Sequence, residues 1–345
     1  MIRLWPALIG LGMAAAALLM AIADARAALA GWLAGFVFWS ALPIGALGLV
    51  MMIRLIPGGW GRELAFPAET ALMLLPLAVA AALPMMLGAD ALYPWPDVAA
   101  RTGLRAVYLT PWFFVARSVA AFTAFLLIAY LLLTRPAWSS PVASAGLIAF
   151  TLIDTILAVD WLMSLDPEFH SSGFGLYVLS IQMTIALTLL IFLHLLGDDP
   201  ATRIGLLGGL LLTALLLWAY VAFMQYVIIW SGNLPQGVSW YARHAAGLWS
   251  TVEEAIGALH LVPAFLLLFL PVRRSRRWLI ILAIAVLTGK ALECLWLVLP
   301  TVNTSLRVAL PAAALAFGGL GLLTLAGLRF AAFILEQRSS REAAS

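Results

Sequence analysis

The sequence predicts an all-α, polytopic membrane protein with about ten transmembrane helices. Hydrophobic residues make up 64% of the 345-residue chain and charged residues only 10%, whereas soluble domains carry about 25% charged residues. Ten apolar runs each reach the length of about 20 residues that a helix needs to cross a hydrocarbon core of roughly 30 Å. Cys294 is the only cysteine, which excludes an intrachain disulfide and any cysteine-ligated cluster.

The predicted spans are separated by short segments rich in proline, glycine and charged residues. They cover residues 4–23, 27–53, 68–88, 111–133, 141–163, 172–196, 204–230, 246–270, 278–299 and 308–335. Only residues 24–26 separate the first two spans, which predicts a tight helical hairpin. The start of the chain, with Arg3 before the apolar run and small residues at 21–23, also resembles a signal peptide. Its apolar run is longer than a usual signal core, so we expect a retained first helix; cleavage would leave nine spans.

Arginines in the loops predict the orientation, because cytoplasmic loops of membrane proteins carry an excess of them. With ten spans both termini share one side. That side carries twelve arginines: Arg3, Arg54, Arg62, Arg135, Arg203, Arg273, Arg274, Arg276, Arg277, Arg329, Arg338 and Arg341. The other side carries five: Arg26, Arg101, Arg105, Arg243 and Arg307. We therefore expect cytoplasmic termini, a single transmembrane domain over residues 1–337 and a polar cytoplasmic tail over 338–345.

Ionisable residues inside the spans are the candidate functional groups, since each costs about 3 kcal/mol or more at membrane depth. The topology places Asp154 and His260 near the middle of the membrane and the others nearer the outer surface. The full set is Arg117, Asp154, Asp160, Glu253, Glu254, His260, Lys290 and Glu293. Such groups usually face a bundle interior and pair with one another.

Several of these residues also have a structural interpretation. Lys290 and Glu293, at i and i+3, favour a helix-locking ion pair over a catalytic one. Asp160 is equally compatible with a cap at the outer helix end, and Glu253 or Glu254 with a hydrated carboxylate just below the surface. Asp154, Arg117 and His260 are harder to explain structurally, and we expect a function for them.

The residues for redox chemistry are missing from the sequence. The four histidines lie at depths incompatible with paired haem ligands. There is no Cys-x-x-Cys-His, phosphate-loop or zinc motif. We expect this chain to bind no redox cofactor of its own.

Three segments resemble the ActF-type membrane subunit of alternative complex III, a bacterial quinol:cytochrome c oxidoreductase. The first is Asp160 to Pro167, followed by Ser171, Ser172, Phe174 and Gly175. The second is Tyr108 to Phe114 with Arg117, and the third comprises Gln225 to Trp230, Asn233 to Pro235, Trp240 and Tyr241. Together they lie in spans four to eight, about half of the chain. The sequence departs from the family in its short tail and in Glu168-Phe169-His170, where a His-Trp or similar pair is expected.

The resemblance implies a fold like the polysulfide-reductase membrane subunit, with two four-helix bundles (about 27–163 and 172–299) and peripheral first and last helices. It implies a multi-pass location in a bacterial inner membrane. It also implies partners: a second ten-helix, quinol-binding membrane subunit, an iron–sulfur subunit and multihaem cytochrome c subunits. Quinol, haem c and iron–sulfur clusters are then expected in those partners, and a proton path in this chain.

Three hypotheses follow for the buried charges. In the first, the outer carboxylates form a proton-conducting half-channel, with Asp154 as the central relay, His260 as its proton partner, and Arg117 or Lys290 tuning its charge. In the second, Arg117, Asp154 and His260 form a quinone site. The third, a secondary transporter, ranks last because the glycine interruptions of the two halves do not correspond.

Overall fold

The computed structural model describes residues 4–95, 103–197 and 202–342, and this part of the chain is helical with no strands. Its α-helices are α1 (Trp5–Leu19), α2 (Ala25–Leu55), α3 (Gly59–Leu72), α4 (Leu75–Leu87), α5 (Ala89–Leu92), α6 (Leu104–Tyr108), α7 (Pro111–Thr134), α8 (Ser139–Trp161), α9 (Phe174–Leu196), α10 (Ile204–Ser231), α11 (Pro235–His244), α12 (Leu248–Leu267), α13 (Leu270–Arg273), α14 (Arg276–Val302) and α15 (Leu306–Glu342). Short 3-10 turns lie at Met20–Ile22, Pro136–Trp138 and Met163–Leu165.

The described residues contain nine helices long and apolar enough to cross a membrane, and ten spans if one bent pair counts as a span. The all-α polytopic prediction is confirmed. The connection between α1 and α2 is as short as predicted, although α1 packs mainly against α15. Asp24 is the cap of α2: its carboxylate accepts a hydrogen bond from the Ala27 amide at 3.0 Å.

The third span differs from the prediction, because it is broken. It starts at Gly59 rather than near residue 68 and bends by 45° between α3 and α4. Pro76 lies in the first turn of α4. A proline has no amide hydrogen and its ring clashes with the carbonyl four residues earlier, here that of Leu72, so α3 ends at that residue.

The long spans pack as two four-helix bundles with two further helices outside them. Bundle 1 contains α2, the bent α3–α4 pair, α7 and α8; bundle 2 contains α9, α10, α12 and α14. Helix α2 joins the bundles by packing on α9 and α14, and it also contacts α15, against which α1 lies. Gly35 allows the close approach of α2 and α15, because a Cβ there would lie 2.9 Å from the Ala316 Cβ.

Two sets of contacts define the two ends of the molecule. At the first end, called the α11 face, Phe169 of the α8–α9 loop stacks on Trp240 of α11 at 4.7 Å, and Arg243 pairs with Asp166. At the opposite end, called the α13 face, Arg276 donates to the Leu195 carbonyl and Glu63 pairs with His194.

Some residues used in the sequence predictions are not among the described residues. Arg3, Arg101 and the last three residues of the predicted tail lie outside the described residues. The sidedness of the two faces stays a prediction.

Candidate functional site

The intramembrane charges predicted from sequence divide between the two bundles. Arg117, Asp154 and Asp160 belong to bundle 1, whereas Glu253, Glu254, His260, Lys290 and Glu293 belong to bundle 2. The predicted contact between Asp154 and His260 is not formed: both oxygens of the Asp154 carboxyl lack a hydrogen-bond partner among the described residues. The chain therefore carries two separate polar sites, one in each bundle.

In bundle 1, Arg117 pairs with Asp160 and not with Asp154. The guanidinium donates through Nε to Asp160 Oδ2 at 2.7 Å and through Nη2 to Oδ1 at 3.0 Å. It also lies over the rings of Tyr108 and Phe113, at 3.8 and 4.4 Å from their centroids. The Asp160 side chain is fully buried. Asp160 thus ties α8 to α7 through a two-point ion pair. The sequence predicted a helix-end cap for Asp160 and a role beside Asp154 for Arg117, but the two residues pair with each other.

Burial at the α11 face also changes the acidity of two tyrosines that lie outside the spans. Burial raises the pKa of Tyr108, and the nearby Asp160 carboxylate raises it further. Burial likewise raises the pKa of Tyr93, whose hydroxyl donates to the Trp161 carbonyl at 3.1 Å. Both tyrosines are neutral hydrogen-bonding groups around the ion pair.

Asp154 is buried, with 1% of its surface exposed, and neither of its carboxyl oxygens forms a hydrogen bond within 3.5 Å among the described residues. Gln182 of α9 is close enough for its amide to donate toward this carboxyl group, and its Oε1 has no hydrogen-bond partner among the described residues. Asp154 is thus a buried carboxyl group of bundle 1 whose polar neighbour is an amide side chain on α9.

Bundle 2 holds a denser cluster, centred on the Glu293 carboxylate. Oε1 accepts hydrogen bonds from the Tyr177 hydroxyl at 2.6 Å and from the Trp218 indole Nε1 at 2.8 Å. Oε2 accepts from Lys290 Nζ at 2.8 Å. Lys290 and Glu293 are 0% and 1% exposed. The predicted i, i+3 ion pair is present, and it is linked to two further helices, α9 and α10.

Two aromatic rings, those of Trp218 and His260, pack beside this ion pair. The Lys290 ammonium lies 4.0 Å from the centroid of the Trp218 ring, a cation–π contact. The Trp218 ring in turn packs on His260, with centroids 4.3 Å apart. Gly289 makes room for this histidine, because a Cβ at that position would lie 2.6 Å from the imidazole Cε1.

His260 is oriented toward Glu293 by a backbone hydrogen bond. Its Nδ1 lies 2.6 Å from the Ile256 carbonyl. A carbonyl oxygen only accepts, so Nδ1 carries the hydrogen and Nε2 of the neutral ring is an acceptor. Nε2 lies 4.0 Å from Glu293 Oε2 and has no hydrogen-bond partner among the described residues. The ring therefore presents an acceptor nitrogen toward the Glu293–Lys290 pair.

A cavity of about 320 Å³ lies between this cluster and the α11 face. Its walls are largely aromatic, and Glu293 and Gln225 are among the polar residues that line it. The Gln225 side chain is 4% exposed, and its Oε1 has no partner among the described residues. Glu253 lies at the opposite side of the cavity and is exposed, as is Glu254. The cavity thus connects an exposed carboxylate with a buried one.

Helix α11 closes the cavity at this face. It lies between predicted spans seven and eight, where the sequence predicts no helix. His244 at its end is buried and stacks on Trp240 at 3.7 Å. Its Nδ1 donates to the Trp240 carbonyl at 2.7 Å. Burial lowers the pKa of His244 to about 4, despite the raising effect of that hydrogen bond. His244 is therefore a neutral packing residue, and burial raises the pKa of the neighbouring Tyr241 to about 12.

Sequence reasoning missed four residues of this site: Tyr177, Trp218, Gln225 and Tyr241. Gln225 and Tyr241 lie in segments that carry the family resemblance, but no role was assigned to them. Tyr177 and Trp218 look like packing or interface residues in an apolar helix, and only the fold shows that their polar atoms meet Glu293. No group of three or more His, Cys, Asp or Glu side chains forms a metal site within residues 4–95, 103–197 and 202–342.

Comparisons with known proteins add no assignment to this geometry. No model of a known protein family matches the chain, and no curated protein sequence is significantly similar to it.

Proposed function

We propose that the chain is a membrane subunit of a quinol-oxidising respiratory complex of a bacterial inner membrane, and that it conducts protons through bundle 2. The observation that carries the proton-conducting role is the buried Glu293 cluster beside the cavity that reaches Glu253. The respiratory assignment rests on the sequence resemblance alone. It brings with it a second ten-helix quinol-binding subunit, an iron–sulfur subunit and multihaem cytochrome c subunits as partners.

The groups in bundle 2 provide a sequence of proton-binding sites. Glu253 lies at the exposed end, and the cavity has room for several water molecules, since one needs roughly 10–15 Å³ of this kind of volume. Glu293 follows at the inner end, and the acceptor nitrogen of His260 lies beside it. A proton arriving at Glu293 weakens its ion pair with Lys290, and the imidazole then offers a second acceptor. The cluster thereby couples proton arrival to the charge balance inside the bundle.

A stripe of hydroxyl groups continues from this cluster toward the α13 face. Ser180, Thr184 and Thr188 are buried along α9, and each donates to a backbone carbonyl three or four residues earlier. The first of these carbonyls is that of Tyr177, the residue bonded to Glu293. Each hydroxyl oxygen keeps acceptor capacity. The stripe is the candidate second half of the proton path, and its far end points toward the His194–Glu63 pair.

The alternative quinone site has less support than the proton path. Its proposed residues were Arg117, Asp154 and His260, but Arg117 is held by Asp160 and His260 lies in the other bundle. A proton path through bundle 2 does not require Arg117, Asp154 and His260 to lie together. We therefore keep proton conduction as the proposed function.

The test is proton translocation by the reconstituted native complex carrying Glu293→Gln or Tyr177→Phe. We expect fewer protons moved per electron in Glu293→Gln and a smaller loss in Tyr177→Phe. Because Glu293→Gln leaves Lys290 without its counter-charge, its thermal stability is measured alongside, and a Lys290→Met/Glu293→Gln double variant separates misfolding from lost conduction. Full translocation in a folded double variant would refute the proposal, and co-purification of the chain without electron-transfer subunits would refute the respiratory assignment.

A further inference from the structure

A second cavity opens beside the first on the surface of the molecule. This groove of about 360 Å³ is formed by α10, α11 and α12, and Tyr226, Trp230, Tyr241 and Glu253 are among its lining residues. The side chains of Tyr226 and Trp230 are 46% and 67% exposed. The groove therefore opens sideways, where a membrane protein meets lipid, at the level of the α11 face.

Glu253 gives the groove a negative charge that nothing in the described part of the chain balances. It forms no ion pair there, and the charged residue next to it, Glu254, has the same sign. A carboxylate on a membrane-facing helix is costly unless a cation or water compensates it. A positively charged occupant of the groove would balance the charge of Glu253.

The other walls suit the same kind of occupant. The Tyr226 and Tyr241 rings meet edge to face at 5.4 Å and 90°, and Trp230 lies on the same side of α10. Aromatic walls of this kind attract ammonium groups through the cation–π interaction. The Oε1 of Gln225, buried and without a partner, lines the adjoining cavity, which shares Tyr226, Tyr241 and Glu253 with the groove. Glu253, the charged residue of the groove, accepts hydrogen bonds, so an occupant that donates them fits best.

Below the groove, α10 presents an exposed apolar strip. Tyr220 and Phe223 are 61% and 63% exposed and precede Tyr226 and Trp230 on this helix. At 1.5 Å per residue the strip runs about 15 Å into the membrane from Trp230, which matches the upper part of an acyl chain. A ligand with a polar head in the groove would lay its tail on this surface.

We propose that this groove binds a phospholipid with a primary ammonium headgroup, of the phosphatidylethanolamine class. Its ammonium carries hydrogen-bond donors and one positive charge, which match the Glu253 carboxylate and the aromatic walls of the groove. Phosphatidylcholine offers the charge without the donors, and phosphatidylglycerol offers neither the charge nor an ammonium. The site shares Glu253 with the proposed proton path, but lipid retention is measured separately from proton translocation, so each proposal can fail without the other.

The experiment is lipid retention by the full chain, in its native complex, measured by mass spectrometry after detergent exchange with lipids of identical acyl chains. We expect phosphatidylethanolamine to be retained roughly tenfold over phosphatidylglycerol, the ratio for one charge-assisted hydrogen bond. Glu253→Gln should abolish this preference, and the matched variant Glu254→Gln should keep it. Both positions are exposed, so neither change disturbs packing.

Three lipid-retention results would overturn the assignment, and one displacement result as well. The first is equal retention of phosphatidylethanolamine and phosphatidylglycerol by the unmodified chain. The second is an unchanged preference for phosphatidylethanolamine in Glu253→Gln. The third is retention of phosphatidylcholine equal to that of phosphatidylethanolamine. Displacement of the bound lipid by a quinol at equal concentration would also overturn it, because the groove would then recognise an aromatic head and not an ammonium.

Discussion

The Tyr177 hydroxyl donates a 2.6 Å hydrogen bond to the Glu293 carboxylate, although the two residues are 116 positions apart in the sequence. This bond connects α9 to α14 inside bundle 2. Through the same carboxylate, Trp218 connects α10 to α14, and Lys290 forms a hydrogen bond within α14. One buried acceptor thus organises three of the four helices of the bundle.

Removing the tyrosine hydroxyl should weaken bundle 2 without breaking the ion pair. Tyr177→Phe leaves Glu293 with one donor fewer, which costs about 1–3 kcal/mol for a buried charged acceptor. The measurement is the free energy of unfolding in detergent. Tyr220→Phe is the matched control, because Tyr220 is exposed on α10. An equal effect in both variants would contradict a specific role for the Tyr177–Glu293 bond.

The ion pair of bundle 1 should show strong coupling. Arg117→Ala leaves the buried Asp160 carboxylate unpaired and should destabilise the protein by about 3–5 kcal/mol. The double variant Arg117→Ala/Asp160→Ala should recover part of that loss, since no charge then remains buried. A double-mutant cycle on the unfolding free energy measures the coupling. Strictly additive losses would show that the two residues act independently.

Asp154 should respond in the opposite direction from Glu293. Its carboxyl oxygens form no hydrogen bond among the described residues, so Asp154→Asn removes a buried ionisable group without breaking one, and the new amide can still exchange a hydrogen bond with Gln182. We expect unchanged or higher thermal stability at pH 7 for this variant. Glu293→Gln should lower stability, because it leaves Lys290 buried without its counter-charge. A large loss in Asp154→Asn would indicate an ionised Asp154 with a partner that the structure lacks.

The folded protein should lose stability in acid through His244. Its pKa is lowered to about 4, against about 6.5 for an unperturbed histidine. Between these two values the unfolded chain binds a proton that the folded chain does not, so stability is full above about pH 6.5 and falls as the pH drops toward 4. Unfolding measured at pH 7.5 and 5 should show this loss, and His244→Gln should reduce it. An undiminished loss in His244→Gln would contradict this role of the buried histidine.

The spans followed from sequence because apolar length and breaking residues are local properties. The Lys290–Glu293 pair was equally local, at i and i+3. The bend at Pro76 was hidden, since the apolar run continues through it. Helix α11 was missed because Asn233-Leu234-Pro235 was treated as a loop, although the proline in fact starts the helix.

The long-range part of the site could not be derived in this way. Arg117 and Asp160 are 43 residues apart, and Asp154, six residues before Asp160, was an equally reasonable partner. Tyr177 and Trp218 gave no polar signal, because an aromatic residue in an apolar span usually serves packing. Their importance depends on which helices face each other, which no local pattern encodes.

Proton translocation per electron in the native complex tests the central claim most directly, with Glu293→Gln/Lys290→Met compared against Asp154→Asn. If bundle 2 conducts protons, the first variant loses translocation while quinol oxidation continues, and Asp154→Asn retains most of it. Full translocation in a folded Glu293→Gln/Lys290→Met complex, together with its loss in Asp154→Asn, would place the proton path in bundle 1 and contradict this account.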